Sequence, residues 1–192
     1  DELLAKARAP RSSAPTAVPQ VVGAPSPIEH VIYIIRENRT YDQVFGAFGK
    51  GNGDPRLTIF GRNVTPNAHK LAEEFVLFDN LYCDGEVSVD GHSWSNSAYA
   101  TDFNEKLWPV TYGGHSQARP SAAYIPAGGH LWDLAAKKGL TYRSYGEYAS
   151  RASDGTTMEA SPGVGGLLGH ISPKFKLPGM RDTDNVKVFF EE

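Results

Sequence analysis

The sequence has almost no cysteine, no long apolar run and no strong charge of either sign. Its single cysteine, Cys83, excludes an internal disulfide framework and a zinc site built from several cysteines. No stretch approaches the ~18 consecutive apolar residues that a membrane span needs. Lys and Arg total 19 and Asp and Glu total 22, which gives a formal charge of −3 with no long basic cluster. A nucleic-acid surface is therefore not expected.

What the chain does contain is typical of a globular domain preceded by a tail. Apolar residues make up 40% and charged residues 21% of its 192 positions, enough for one domain. Residues 1–27 carry prolines at positions 10, 15, 19, 25 and 27 amid small residues, and we predict a linker or arm there. Residues 28–192 are the expected folded part. The first residues lack a basic segment followed by an apolar one, so no signal peptide is expected in this chain.

A short apolar run at residues 31–35 is rich in β-branched side chains and predicts a strand buried on both faces. Glu37 and Asn38 follow it, and in open α/β sheets ligands bind beyond the carboxyl ends of the strands. Oxygen donors at that point suit a hard or borderline metal ion. The other interpretation is that both side chains satisfy a turn, and the spacing alone favours it.

A second unit of the same kind follows. Thr65 as N-cap, Pro66 at the first helical position and helical apolar spacing predict a helix over about 66–74. Residues 75–78 predict a second buried strand, and residues 140–145 predict a third. This order favours an α/β fold with a mostly parallel sheet and flanking helices.

The remaining segments give weaker local signals. A helix of about two turns is predicted between His130 and Gly139, and another from Asp182 to the last residues. Residues 104–127 and 150–180 lack clear periodicity and are predicted as long loops. Isolated histidines in such regions, at positions 115, 130 and 170, are interpreted as surface or capping residues.

The loop after residues 75–78 is dense in hydroxyl groups. Ser88 and Ser93 lie within a few positions of Asp90 and His92. A hydroxyl at the start of a helix that follows a strand can act as a nucleophile, because the helix N-terminus and a nearby metal stabilise an alkoxide and an anionic substrate. The alternative is an ordinary Ser-capped helix, and the residues alone favour that interpretation.

The segment from Ile28 to Asp42, IEHVIYIIRENRTYD, together with Phe45 and Gly46, resembles the opening motif of the phosphoesterase family. This family contains bacterial phospholipases C and acid phosphatases and belongs to the alkaline phosphatase superfamily. Residues 65–82 resemble the second βα unit of that superfamily, so the likeness spans about residues 28–102. It is strongest to the phosphoesterase domain that follows YVTN-type β-propeller repeats in some bacterial proteins, which would make residues 1–27 an interdomain linker after an upstream propeller.

The resemblance implies metal-dependent hydrolysis of phosphoesters, either phosphomonoesters or phospholipid head groups, through a phosphorylated Ser or Thr. Glu37 and Asn38 match the first-strand ligands of a divalent metal ion whose identity stays open. Ser88 takes the place of the nucleophile, with Ser93 as the alternative register. Asp90 and His92 are expected to support the site from nearby. The resemblance also implies export to the periplasm or the cell exterior for the full-length protein.

The chain departs from the family pattern in two respects. Relatives complete the metal site with aspartates and histidines far toward the C-terminus, and nothing after Glu147 resembles that pattern. The Thr-Pro-Asn-Arg-like sequence of many phospholipase members is also absent. We therefore expect about half of an active site here, a missing C-terminal part, and exposed apolar surface that favours self-association. The alternative is a non-catalytic binding or interaction module on a shortened fold of the same kind.

Overall fold

The structure, a computed structural model, describes residues 17–19, 21, 23–111, 122–177 and 179–192, without the side chains at 107, 108, 110 and 111. Most of the predicted linker, and His115, lie outside these residues. The chain divides into two compact units, Asp1–Asn80 and Leu81–Glu192, and each is described by itself.

Within the described residues, the first unit contains two helices and a 3₁₀ turn. They are α1 (Tyr41–Phe45), a 3₁₀ turn (Pro55–Leu57) and α2 (Pro66–Glu74). Helix α2 confirms the predicted helix, with Pro66 at its first position. The Thr65 side chain does not cap it as predicted, because its hydroxyl instead donates to the Phe60 carbonyl at 2.9 Å.

The segment that resembles the phosphoesterase motif folds around α1. The Thr40 hydroxyl accepts from the backbone N–H of Gln43, and the Gln43 side chain accepts from the Thr40 N–H, both at 3.3 Å, so the two ends of the first turn satisfy each other. A Cβ at Gly46 would collide with the carbonyl oxygens of Asp54 and Asp42. This close backbone approach explains why glycine follows Phe45.

An aromatic cluster lies at the centre of the first unit. His69 of α2 is buried, and its ring lies 5.1 Å from Phe45 and 5.5 Å from Phe48 between centroids. Its Nδ1 is 2.9 Å from the Thr65 carbonyl, which satisfies one ring nitrogen. This histidine thus joins α1 to α2 through apolar contact and a local hydrogen bond.

The predicted strands at 31–35 and 75–78 are not strands in the structure. Among the described residues neither segment pairs into a sheet, and their apolar side chains face solvent, with Val31 82% and Val76 79% exposed. A strand needs a neighbouring strand for its N–H and C=O groups, and no local signal supplies one. The mostly parallel α/β sheet therefore stays a prediction.

The described part of the second unit, residues 81–111, 122–177 and 179–192, contains four helices and one β-hairpin. The hairpin strands pair antiparallel, with Ala149 opposite Ala160 and Arg151 opposite Met158. The elements in chain order are α3 (Ser88–Ser97), α4 (Asp102–Thr111), a 3₁₀ turn (Ala122–Tyr124), α5 (Leu131–Lys137), β1 (Ala149–Arg151), β2 (Met158–Ala160), a 3₁₀ turn (Gly165–Leu167) and α6 (Asp182–Glu191).

Local signals located α5 and α6 correctly. Helix α5 ends just before Gly139, which has a positive φ of 68°, and α6 begins at Asp182. The predicted strand at 140–145 contributes only a single parallel bridge, between Ser144 and Ile171. The predicted loops were partly wrong, since most of α4 and all of the hairpin except Ala149 lie within them. Pro109 inside α4 and strands of three residues explain why neither gave a clear periodicity.

The hydrophobic core of the second unit forms where α5 meets the hairpin and the 3₁₀ turn at 165–167. Gly166 passes so close to α5 that a Cβ there would collide with Asp133 and come within 2.9 Å of Trp132. Tyr142 closes one side, donating from its hydroxyl to the Gly166 carbonyl at 2.6 Å. The buried members are Trp132, Met158, Val164, Leu167 and Ile171.

His130 forms the N-cap of α5 and is buried rather than on the surface. Its ring stacks on Trp132 with centroids 4.4 Å apart, and Nε2 has no hydrogen-bond partner. Asp133 Oδ2 lies 3.3 Å from Nδ1. Burial lowers the pKa of His130 below its ordinary value, an effect that Asp133 and Glu147 only partly oppose.

We expect the second unit to lose stability in mild acid because of His130. Its folded-state pKa is below the unfolded value of ~6.5, so as pH falls through ~6.5 the unfolded chain takes up a proton first. The stability that the neutral His130 contributes is therefore complete above pH ~6.5 and is lost as the pH falls toward the folded-state pKa. Urea unfolding across this pH range should show a shallower dependence in His130→Gln than in the unmodified chain. An unchanged dependence would contradict this assignment.

Among the described residues, none of the helices combines the length and the apolar character that crossing a lipid bilayer requires, as expected from the sequence.

Candidate functional site

Helix α3 carries three polar side chains on one face. Ser88, His92 and Asn96 recur every four residues, and residues four apart are neighbours on a helix surface. Ser88 is the first helical residue, preceded by extended Val87. Of the two registers considered for the nucleophile, Ser88 is thus the residue at the N-terminal end of the helix, where it is partly buried.

A glycine lets the preceding chain approach this helix. A Cβ at Gly85 would come within 2.5 Å of the Gly91 nitrogen and 3.0 Å of the Asp90 carbonyl carbon. Residues 85–87 therefore lie against the first turn of α3, and a larger residue at position 85 would displace it.

His92 is paired with Glu147 from the segment before β1. The Nδ1 atom lies 2.9 Å from each carboxylate oxygen, and both side chains are only about a quarter exposed, at 27% and 24%. The Asn96 amide donates to Glu147 Oε1 at 2.8 Å and to the His92 carbonyl at 2.9 Å. These contacts tie the carboxylate to two successive turns of α3.

Ser93, the alternative nucleophile, lies on another face of α3 and is buried. Its hydroxyl donates to the Val89 carbonyl at 3.1 Å and accepts from Asn104 of α4 at 3.0 Å. The Tyr148 hydroxyl lies 3.4 Å away. These contacts use the Ser93 hydroxyl to join α3 to α4.

Asp90 is fully buried in the first turn of α3, and neither carboxylate oxygen has a hydrogen-bond partner in the structure. Burial raises the pKa of its carboxyl above the ordinary value, and the negative charges of Glu105 and Glu86 raise it further. An unsatisfied buried polar group costs about 1–3 kcal/mol of stability. Such a group two positions from Ser88 marks this turn as a candidate site.

Glu37 and Asn38, the predicted metal ligands, belong to the first unit, whereas Ser88, Asp90 and His92 belong to the second. Both ligand candidates are exposed. The Asn38 carbonyl accepts from its neighbour Arg39 at 2.7 Å. The structure thus brings Ser88, Asp90 and His92 together on one helix of the second unit. Glu37 and Asn38 are not part of that helix or of that unit.

The donor atoms suit a divalent ion in kind but not in number. Glu37 and Asn38 both offer oxygen donors, which Mg²⁺ and Ca²⁺ prefer. Such ions take about six to eight ligands. The described part of the chain groups no three His, Cys, Asp or Glu side chains in a way that could hold a metal ion. These residues therefore do not form a complete metal site.

Sequence reasoning missed Glu147 and Asn96. Glu147 follows a predicted strand at 140–145, the same position that singled out Glu37 after residues 31–35. Asn96 continues the four-residue spacing from Ser88 through His92. Both signals were present in the sequence, but the separation of 55 residues between His92 and Glu147 concealed their pairing.

Comparisons of the chain with protein-family models, with characterised proteins and with solved structures give no match.

Proposed function

We propose that this chain carries a phosphoester-hydrolysing site in which the Ser88 hydroxyl attacks phosphorus and becomes transiently phosphorylated. The observation that carries the proposal is the place of Ser88, partly buried at the first residue of the ten-residue helix α3. Asp90 and His92 lie within the next turn. The phosphoesterase-like segment at residues 28–46 supports the same chemistry independently of the helix.

The N-terminal end of α3 suits an anionic substrate. The first N–H groups of a helix lack intrahelical acceptors, and the helix dipole places partial positive charge at that end. A phosphoryl group near Ser88 would meet these donors, which stabilise negative charge as it develops on the phosphoryl oxygens. Val87 offers no side-chain cap in competition with such a ligand.

The contacts of the two serines favour Ser88 over Ser93. Ser93 is buried and its hydroxyl is engaged by Val89 and Asn104, so attack on a substrate would require breaking the contact between α3 and α4. Ser88 is the first residue of the same helix and is only partly buried, and it has no such role in joining α3 to α4. We therefore keep Ser88 as the nucleophile and Ser93 as the alternative.

A divalent ion is part of the proposal, with Glu37 and Asn38 as the ligands that the family resemblance indicates. When bound, such an ion would supply positive charge that stabilises the phosphoryl oxygens. The exposed carboxylate and amide leave room for it, and further ligands are needed to complete its coordination.

Release of 4-nitrophenol from 4-nitrophenyl phosphate by the purified chain tests the proposal directly. Turnover is expected on addition of Mg²⁺, Mn²⁺, Zn²⁺, Fe²⁺ or Ca²⁺ and should be lost with EDTA. Vanadate, which mimics pentacoordinate phosphorus, should inhibit it. Absence of turnover with every ion would contradict the proposal, and phosphate binding without turnover would favour the non-catalytic binding module.

Glu37→Ala should weaken metal binding by at least tenfold and lower turnover correspondingly, because it removes the only negatively charged ligand of the proposed pair. The measurement is calorimetric titration with Mn²⁺, followed by the activity assay at saturating metal. Glu29→Ala is the matched control, since Glu29 is also an exposed carboxylate of the first unit. Equal metal affinity in the two variants would remove Glu37 from the site.

A further inference from the structure

We propose that His92 is the general base for Ser88 and that Glu147 is the residue that positions it. This inference rests on the proposed function, because it names the group that takes the Ser88 proton. It derives from the His92–Glu147 pair and from the four-residue spacing along α3.

The pairing fixes which nitrogen of His92 is basic. An ionised carboxylate only accepts hydrogen bonds, so the 2.9 Å contacts with Glu147 place the proton on Nδ1. In the neutral ring Nε2 then carries the lone pair and points away from Glu147. A carboxylate behind Nδ1 also stabilises the imidazolium that forms when Nε2 accepts a proton.

The carboxylate is itself held in place. Asn96 donates to Glu147 Oε1 at 2.8 Å, and the Ser144 hydroxyl donates to the Glu147 carbonyl at 2.6 Å. The next residue, Tyr148, is partly buried and packs against His130 and Trp132. Glu147 is therefore anchored through its side chain, its backbone and its neighbour, as a positioning group requires.

Helix geometry then directs His92 toward Ser88. Side chains on a helix lean toward its N-terminus, so a residue covers the turn that precedes it. His92 lies four positions after Ser88, so the two residues are neighbours on the surface of α3. The ring is 27% exposed, so a substrate at Ser88 would border it.

The proposed reaction has two halves, formation and hydrolysis of a phosphoserine at Ser88. The Ser88 Oγ–P bond forms, the bond between phosphorus and the ester oxygen breaks, and the Ser88 proton moves to His92 Nε2 and from there to the leaving alkoxide. In the second half a water molecule attacks phosphorus while His92 takes its proton. The Oγ–P bond breaks and the proton returns to Ser88 Oγ, which regenerates the enzyme and releases phosphate.

The test compares pH–rate profiles of the full chain with 4-nitrophenyl phosphate under the metal conditions that support turnover. His92→Gln should lower kcat about 10²–10⁴-fold and abolish the acid limb of the profile. Glu147→Gln should lower kcat about tenfold or more and move the acid limb to lower pH, because the imidazolium loses its carboxylate partner. Glu147→Asp keeps the charge and should restore the position of the limb.

Glu159→Gln is the matched control, since Glu159 is an exposed carboxylate on β2, and it should leave the profile unchanged. A second readout needs no turnover. In ¹⁵N spectra the His92 ring should carry its proton on Nδ1, and Glu147→Gln should remove that preference.

The outcomes separate this inference from the proposed function. Full activity in His92→Gln, with Ser88→Ala inactive, would overturn the role of His92 and leave Ser88 in place. No turnover in any form of the chain would overturn the proposed function and the base with it, even if the ¹⁵N spectra showed the pairing. An acid limb that stays in place in Glu147→Gln, or no Nδ1 preference in the unmodified chain, would overturn the positioning role.

Discussion

Ser88→Ala is expected to form no phosphoenzyme and to lower turnover of 4-nitrophenyl phosphate by a factor on the order of 10⁴–10⁶, because the attacking atom is gone. Its free energy of unfolding should fall by no more than ~1 kcal/mol, since Ser88 is a helical residue and the cap position belongs to Val87. Acid quenching after mixing with ³²P-labelled substrate would measure the covalent intermediate. Urea unfolding would measure the stability.

Ser93→Ala is the matched control on the same helix. It should lower the free energy of unfolding by about 1–3 kcal/mol, because the buried Asn104 amide loses its acceptor, and it should keep most of the turnover. The opposite result, with Ser93→Ala inactive and Ser88→Ala active, would place the nucleophile about one turn further along α3.

Leu167→Ala should lower the free energy of unfolding by about 2–5 kcal/mol, the range for emptying a well-packed leucine site. Leu167 is 1% exposed and packs in the core with Trp132 and Ile171. Its neighbour Leu168 is 71% exposed. Leu168→Ala is therefore a control that removes the same atoms from the adjacent position in the chain. Urea unfolding followed by tryptophan fluorescence compares the two midpoints, at an unchanged slope if only stability has changed.

Similar midpoints for the two leucine variants would mean that the 165–167 turn does not contribute to the core. Such a result would also weaken the placement of Trp132 against Gly166, on which the packing of α5 depends.

The parts of the fold that the sequence predicts well have local causes. Pro66 and the apolar spacing after it located α2, and Gly139 located the end of α5. Each signal acts within one or two turns of chain. The strands predicted at 31–35 and 75–78 depend instead on distant pairing partners, and composition alone cannot supply them. The hairpin at 149–160 was missed because three-residue strands contain too few positions for an alternating pattern.

The same distinction applies to the candidate site. The hydroxyl-rich loop indicated a helix start in this region, but the sequence left its register open between Ser88 and Ser93. The support of His92 by Glu147 was not, because it joins two segments 55 residues apart. The burial of Asp90 was equally hidden, since a carboxylate in a polar stretch is ordinarily solvated and nothing nearby in the sequence indicates that it is covered.

The four-residue spacing of Ser88, His92 and Asn96 has a consequence for how this region can change through insertion and deletion. One residue added between Ser88 and His92 would turn the rest of α3 by about 100° about its axis relative to Ser88. The serine would then leave the face that meets Glu147, although every side chain would still be present. Length variation is therefore confined to segments outside α3, where a loop can absorb it without rotating the helix. Within Ser88–Asn96, the number of residues matters as much as their identity.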